Sequence, residues 1–252
     1  MQQSASSYVV AAFVLALLAA SCRYANSPGN SDNLALTVAV TDLSKSTAAR
    51  KVRQAYQTNI DRILKTATAG DSLYFGWITT TSAGQLEGVR VGLPQTPSGL
   101  LAGRFDKKAA RKKRKTSRAK ARREIRSYLG DTTRVSKSTD LMSALHWAGQ
   151  IFERSNRTKK ILVVQSDMIE EASYDFTDLS FEDEEQIENV LRAEKKLRRL
   201  PDLTGVRVYV VGVGAMQRNS RDIFQVRKFW MRYFREAGAT VETYGGQLPR
   251  LK

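Results

Sequence analysis

Residues 34–46, LALTVAVTDLSKS, constrain the fold more than any other stretch of this chain. The apolar, β-branched run 34–40 has the pattern of a central strand covered on both faces. It ends at Asp42, and Ser44 and Ser46 follow at alternate positions. In an open α/β sheet, ligands bind outside the carboxyl ends of parallel strands, so a strand that ends in oxygen donors is well placed for chemistry. One carboxylate and two hydroxyls form a hard, all-oxygen set that suits Mg²⁺ or Mn²⁺ and suits Zn²⁺ poorly. An Asp-Ser turn capping the next helix would carry the same letters, so this segment alone leaves both readings open.

Three further apolar runs repeat the strand pattern. Residues 72–78 form the second strand. Residues 159–167 form the third and end in a second carboxylate, Asp167. Residues 206–214 form the fourth and end in glycines. Between them lie segments of helical period: 47–68, with Val52, Tyr56, Ile60, Ile63 and Leu64 on one face; a helix from Leu141 through Phe152; 182–197; and 221–237, followed by Gly238. Residues 82–84 read as a turn, 86–93 as an edge strand returning beside the second strand, and 240–244 as a last edge strand. The order predicts an α/β domain: a doubly wound, mostly parallel sheet with an antiparallel edge strand and helices on both faces. No internal repeat is present. The fourth strand lacks G-x-G-x-x-G spacing, which argues against a dinucleotide site.

The first 33 residues stand apart. Residues 8–20 are apolar but too few to span a bilayer comfortably. The segment closes on Leu18-Ala19-Ala20-Ser21-Cys22, which resembles the lipobox of bacterial lipoproteins. That resemblance implies a signal peptide over 1–21, cleavage before Cys22 and lipidation of that residue. Cys22 is the only cysteine, so no intramolecular disulfide can form. Residues 1–7 carry no Lys or Arg, whereas secretory signals usually begin with basic residues. An uncleaved anchor or a buried N-terminal helix is the alternative. Residues 22–33 are polar and read as a tether, leaving 34–252 as the folded domain. The residue after Cys22 is Arg23, so the Asp of the usual inner-membrane retention signal is absent. The expected location is therefore exported and membrane-anchored, at the outer membrane of a two-membrane cell or at the cell surface.

Charge is distributed unevenly. The formal net charge is +16. Residues 104–126 hold 13 Lys or Arg against two acids and read as a helix, with apolar contacts only from Ile125, Tyr128 and Leu129 onward. Lys112, Lys113, Arg114 and Lys115 form its densest patch for anions. No aromatic is interleaved among these cations, so base stacking has no support and nucleic acid is an unlikely partner. Anionic lipid headgroups or an acidic protein fit better. Residues 167–188 carry ten acids and no Lys or Arg, with Tyr174, Phe176 and Phe181 suggesting a packed loop over the site. The two segments could instead neutralise one another. His146, the single histidine, lies within an apolar helical pattern and reads as a core residue without a chemical role.

Together these features resemble the von Willebrand factor A domain family, across roughly residues 34–245. The resemblance rests on Asp42-Leu43-Ser44-Lys45-Ser46, on Thr139-Asp140 before an Ala-Leu helix, on Asp167 closing an apolar strand, and on the Val211-Gly212-Val213-Gly214 strand end. It implies a metal-ion-dependent adhesion site. Ser44, Ser46 and Thr139 would bind Mg²⁺ (or Mn²⁺) through hydroxyls, and Asp42 and Asp167 directly or through water. With few carboxylates the ion keeps an open position for an Asp or Glu of a partner protein. The chain departs from the family in its basic segment and in Met168-Ile169-Glu170-Glu171, where a Gly commonly follows the Asp. The domain is expected not to be an enzyme. A haloacid-type phosphatase would need a carboxylate where Ser44 stands, and Ser44 and Ser46 lack a His base for nucleophilic work. A structural A domain with a vestigial metal site is the other alternative, with a metal-dependent phosphoesterase behind it.

Overall fold

The computed structural model describes residues 34–80, 82, 86–98, 102–213 and 220–251. The expected signal segment, Cys22 and the tether all lie outside the described residues, as do residues 83–84 of the turn and Gly214. Asp32–Lys252 form one compact unit.

Six strands build its sheet: β1 (Ala35–Asp42), β2 (Ser72–Ile78), β3 (Gly88–Gly92), β4 (Lys159–Gln165), β5 (Val206–Val211) and β6 (Thr240–Gly245). Their spatial order is β3-β2-β1-β4-β5-β6. β1 pairs in parallel with β2 and β4, and β3 alone runs antiparallel, against β2. The helices are α1 (Arg50–Thr66), α2 (Arg104–Gly130), α3 (Leu141–Glu153), α4 (Glu184–Lys196) and α5 (Ser220–Glu236). The doubly wound, mostly parallel architecture expected from the strand and helix periods is the one observed. The expected boundaries shift modestly. A short 3₁₀ turn, Lys45–Thr47, precedes α1, and α2 runs on to Gly130.

All eight residues of β1 are buried, as a central strand requires. Alternate side chains feed two cores, because the side-chain period of a strand is two. On one face, Ala39, Phe75, Trp77 and Val163 pack against α1 (Ile60, Ile63, Leu64) and α2 (Ala121, Ile125, Leu129). On the other, Val38, Val40, Leu162 and Val208 pack against α3, α4 and α5. Phe176 and Phe181 of the acidic stretch belong to this second core: Phe176 meets Phe181 and Phe229 edge-on, and Phe181 stacks on Phe229. Among the described residues, both cores are built within the Asp32–Lys252 unit.

This division decides between two alternatives that the sequence left open. The basic and acidic segments do not neutralise one another, because they sit on opposite faces of the sheet. Arg122 and Arg126 of α2 pair with Asp61 of α1, whereas Glu184 in the acidic stretch pairs with Lys228 of α5. His146 is half-buried and polar-satisfied: its Nδ1 lies 3.0 Å from the Arg199 carbonyl and its Nε2 3.0 Å from Gln150 Nε2.

Candidate metal centre

The carboxyl ends of β1 and β4 are adjacent strand ends, in the register Thr41 opposite Gln165. This is the crevice where successive crossovers leave the sheet in opposite directions, β1 toward β2 and β4 toward β5. Asp42 closes β1 and is fully buried. Its Oδ1 accepts from Ser44 N–H at 2.7 Å, and its Oδ2 accepts from Ser166 Oγ at 2.8 Å. Ser44 Oγ and Ser46 Oγ are 2.9 Å apart. Thr47 Oγ1 donates to the Asp42 carbonyl and binds the turn back onto the strand end. The Asp-Ser turn is thus present in this loop, and it brings the Ser44 and Ser46 hydroxyls together.

Thr139 reaches the same crevice through backbone pairing. Ser136 N–H donates to the Leu43 carbonyl at 2.9 Å, and Lys45 N–H donates to the Ser136 carbonyl at 3.2 Å. Asp140 N–H donates to the Thr79 carbonyl beyond β2, and Glu171 N–H donates to the Thr139 carbonyl at 2.9 Å. Thr139 is therefore held between the loops after β1, β2 and β4, with 1% of its surface exposed. Its hydroxyl lies 3.4 Å from Glu171 Oε2. Asp167 follows β4; its Oδ1 accepts from Ile169 N–H at 3.2 Å. Its Oδ2 is buried and has no hydrogen-bond partner among the described residues. All five residues singled out from the sequence thus lie on the loops at one end of the sheet.

The electrostatics of these loops are strained. Burial pushes the Asp42 carboxyl up to about 6, and the charge of Asp167 adds to the rise, against the hydrogen bonds from Ser44 and Ser166. Burial also raises Tyr56 well above its ordinary value, with Asp42 and Asp167 contributing. The Tyr56 hydroxyl has no hydrogen-bond partner among the described residues. It explains the glycine at the end of β5: Gly212 has φ +99°, and a Cβ there would stand 2.8 Å from Tyr56 Oη and 3.1 Å from the Ser166 carbonyl. Two carboxylates at a water-poor strand end, one with an orphaned oxygen, would be stabilised by a cation. The donors are all oxygen, and each carboxylate oxygen keeps a free lone pair, so the set fits a hard divalent ion. Among the described residues no three His, Cys, Asp or Glu side chains converge as a metal cluster, so such an ion would depend on the serine and threonine hydroxyls.

Three residues carry the site without having been assigned a role from sequence. Ser166 bridges Asp42 to the backbone, accepting from Met168 N–H at 2.9 Å while donating to the carboxylate. Met168 adopts φ 68°, the left-handed region that glycine enters freely and a long side chain enters at a cost. It takes the position where the resembled family commonly has Gly. Its conformation is stabilised by full burial and by Trp230 Nε1–H, which donates to its carbonyl at 2.8 Å. Glu170 is also fully buried and accepts four backbone N–H groups. Leu141 and Met142 at the start of α3 donate to Oε2, and Ala172 and Ser173 donate to Oε1, at 2.8 to 3.0 Å. The adjacent acids 170 and 171 gave the only sequence signal, and in an acidic stretch they did not stand out.

An open α/β sheet with an oxygen-lined crevice at the ends of its two central strands defines the class to which this domain belongs. No protein-family model and no curated protein sequence matches the chain. Solved structures similar to it include the PilB minor pilin from Streptococcus sanguinis, at 13% identity and TM-score 0.46, over 88% of this chain and 58% of the pilin. A von Willebrand factor type A structure from Catenulispora acidiphila is similar at 17% identity and TM-score 0.39, over 81% of this chain and 42% of that one. An aerotolerance-related membrane protein from Bacteroides fragilis is similar at 9% identity and TM-score 0.40, over 86% and 92% of the two chains. This chain thus spans little more than half the length of the pilin. At such values the likeness concerns the overall shape of the fold and says nothing about ligands.

Proposed function

We propose that this domain is a metal-dependent adhesion module, held at the cell envelope through a lipidated Cys22, that captures a protein partner by one of its carboxylates. The observation that supports it most directly is the buried, unpartnered Asp167 Oδ2, on the same group of loops as Asp42 and the Ser44, Ser46 and Thr139 hydroxyls. A buried charged oxygen without a partner costs several kcal/mol unless a cation or proton joins it. Mg²⁺ bound there would supply Lewis acidity toward a carboxylate ligand. Ser44, Ser46 and Thr139 would hold it as neutral donors, which leaves it enough positive charge to attract an Asp or Glu from outside. The N-terminus of α3, immediately after Thr139, adds a favourable dipole for that anion. Among the described residues, no hydrogen bond joins the three hydroxyls to a His or Lys base, which favours binding over catalysis.

Thermal unfolding of the Asp32–Lys252 unit, with millimolar Mg²⁺ and with EDTA, tests the metal. Ligand present at a hundredfold excess over its dissociation constant should stabilise the native state by about 2.7 kcal/mol, and Asp42→Ala should lose that gain. Zn²⁺ should not outperform Mg²⁺. A wild-type unfolding curve indifferent to Mg²⁺ would leave the domain as a scaffold without a working metal site. Capture of a carboxylate-bearing partner from the cell envelope should likewise vanish in EDTA.

A further inference from the structure

The strongest unassigned feature is the outer face of α2. The helix touches the domain through one narrow stripe, with Ala110, Ala121, Ile125 and Leu129 buried. Arg114 and Arg118 turn inward as well, donating to the carbonyls of Pro94 at 3.0 Å and Ala67 at 2.6 Å. Arg114 is thus an inner anchor of α2 and not part of the free cationic patch expected from the sequence. Lys108, Lys112, Lys113, Lys115, Lys120 and Arg123 are all exposed.

The geometry of this helix has a direction. Pro94 follows β3 at the end of the sheet where β2 begins, since Leu93 pairs with both Gly70 and Asp71. β1 also starts there, with Ala35 N–H donating to Asp71 Oδ1 at 3.0 Å. Beyond the buried Ala110, the helix continues back to Arg104 past this edge for roughly 9 Å, at 1.5 Å per residue. Residues 103–109 are accordingly exposed without interruption. Phe105, in the first turn of this overhang, has 87% of its surface exposed. It lies seven residues before Lys112 and eighteen before Arg123, which places all three along one outward line of an α-helix. The metal loops are at the opposite end of the sheet, and the chain enters β1 at the same end as the overhang.

We propose that α2 is a membrane-docking helix, whose overhanging N-terminal end and outer cationic face rest on an anionic bilayer with Phe105 at the headgroup level. A straight, convex row of cations fits a plane of headgroups. A single nucleic-acid strand would call for a groove with stacking aromatics, and residues 106–127 contain no aromatic. An exposed aromatic beside Lys and Arg is the arrangement of interfacial helices, in which apolar insertion and electrostatic attraction add. With 13 Lys or Arg in residues 104–126, the helix lies on the surface and does not cross it. Docked in this way, the domain would face its metal loops away from the membrane. The inference does not depend on the metal reading, and its test runs in EDTA.

The Asp32–Lys252 unit is sedimented with vesicles of phosphatidylglycerol in phosphatidylcholine, and with phosphatidylcholine alone. The unit should bind only the anionic vesicles and be released at about 0.5 M salt, where the Debye length is only a few ångströms. Replacing Lys108, Lys112 and Lys115 by Gln should weaken binding roughly a hundredfold, at about fivefold per cation near the surface. Phe105→Ser should weaken binding with the salt dependence unchanged. Both variants change exposed side chains, and an unaltered urea midpoint verifies that they fold. Equal binding to both vesicle types, no binding to either, or an undiminished triple variant would overturn the proposal. Tighter binding to an oligonucleotide or to polyglutamate than to the anionic vesicles would overturn it in favour of those partners.

Discussion

Replacing Glu170 by Ala should destabilise the domain by about 4 kcal/mol or more, the largest effect expected of any single polar substitution here. The side chain removed is the acceptor for four buried or half-buried backbone N–H groups. Each buried donor left without a partner costs roughly 1 to 3 kcal/mol, and water reaching the cavity recovers part of that. Two of the donors, Leu141 and Met142, begin α3, where the first N–H groups of a helix have no partner within the helix. Asp140 caps the third, accepting from Ser143 N–H at 3.1 Å. Loss of Glu170 therefore frays the start of α3 and releases Thr139 from the crevice, so the response to Mg²⁺ should weaken along with stability. Glu170→Gln should fall between wild type and Ala: one oxygen still accepts two N–H groups, but the amide nitrogen faces the other two. Urea unfolding of the three proteins measures this. A loss below about 1 kcal/mol for the Ala variant would mean that the four bonds are not what holds these loops together.

The second large effect concerns Asp42 and reverses with conditions. In the metal-free domain its carboxyl is raised from 3.8 to about 6. A group with a raised folded-state pKa binds its proton more tightly when folded. Its stabilising contribution is full below the unfolded value and is lost as pH climbs through the folded value. Between about pH 4 and pH 6 the metal-free domain should thus lose stability on the order of 3 kcal/mol from this group, since each pH step of one between the two values removes about 1.4 kcal/mol. Glu170, raised by burial from 4.5 to about 7, adds a loss in the same direction and carries the window up to about pH 7. Asp42→Asn keeps an oxygen for Ser44 N–H and removes the charge, so in EDTA at neutral pH it should be more stable than wild type. In millimolar Mg²⁺ the order should invert, because the ion compensates the carboxylate in wild type and finds no anion at position 42 in the variant. Mg²⁺ affinity of the wild type should fall below about pH 6 as proton and metal compete. Denaturant unfolding across pH, with and without metal, tests all of this. Identical pH profiles for wild type and Asn in EDTA would show that Asp42 carries no penalty.

Much of the architecture is written in local patterns. Buried strands show unbroken apolar runs, such as 161–164 within β4, and α1 shows its inner face as Val52, Tyr56, Ile60, Ile63 and Leu64, all buried. Strand ends are legible because Asp42 and Asp167 interrupt apolar runs abruptly. Once a doubly wound order is inferred, the right-handed crossover rule places those two ends side by side. Asp42, Ser44, Ser46 and Asp167 could be singled out for the same reason, since each lies at a strand end or in the turn after it; Thr139 is named through the family resemblance.

Other features depend on partners distant in sequence and leave no local mark. Glu170 looks like one more acid in an acidic stretch; it becomes a structural centre only because β4 delivers its loop beneath the start of α3. Met168 could be suspected as a departure from Gly, but its left-handed backbone is held by Trp230, sixty-two residues away. Whether the basic and acidic segments meet was likewise undecidable from charge alone. Coulomb attraction favours contact, yet the alternation of side chains on β1 and β4 assigns the helices to two faces, and burying two cores outweighs exposed ion pairs worth a fraction of a kcal/mol each. Period and composition by themselves determined the strands, the helices and their order, and marked Asp42, Ser44, Ser46 and Asp167 as oxygen-bearing residues at strand ends. Tertiary packing alone decided which buried polar groups those residues meet, which cations turn inward, and which face of α2 is left exposed. The physical reason is range: a side-chain period is fixed by neighbours within a few residues, whereas satisfaction of a buried charge depends on whichever backbone the fold brings to it.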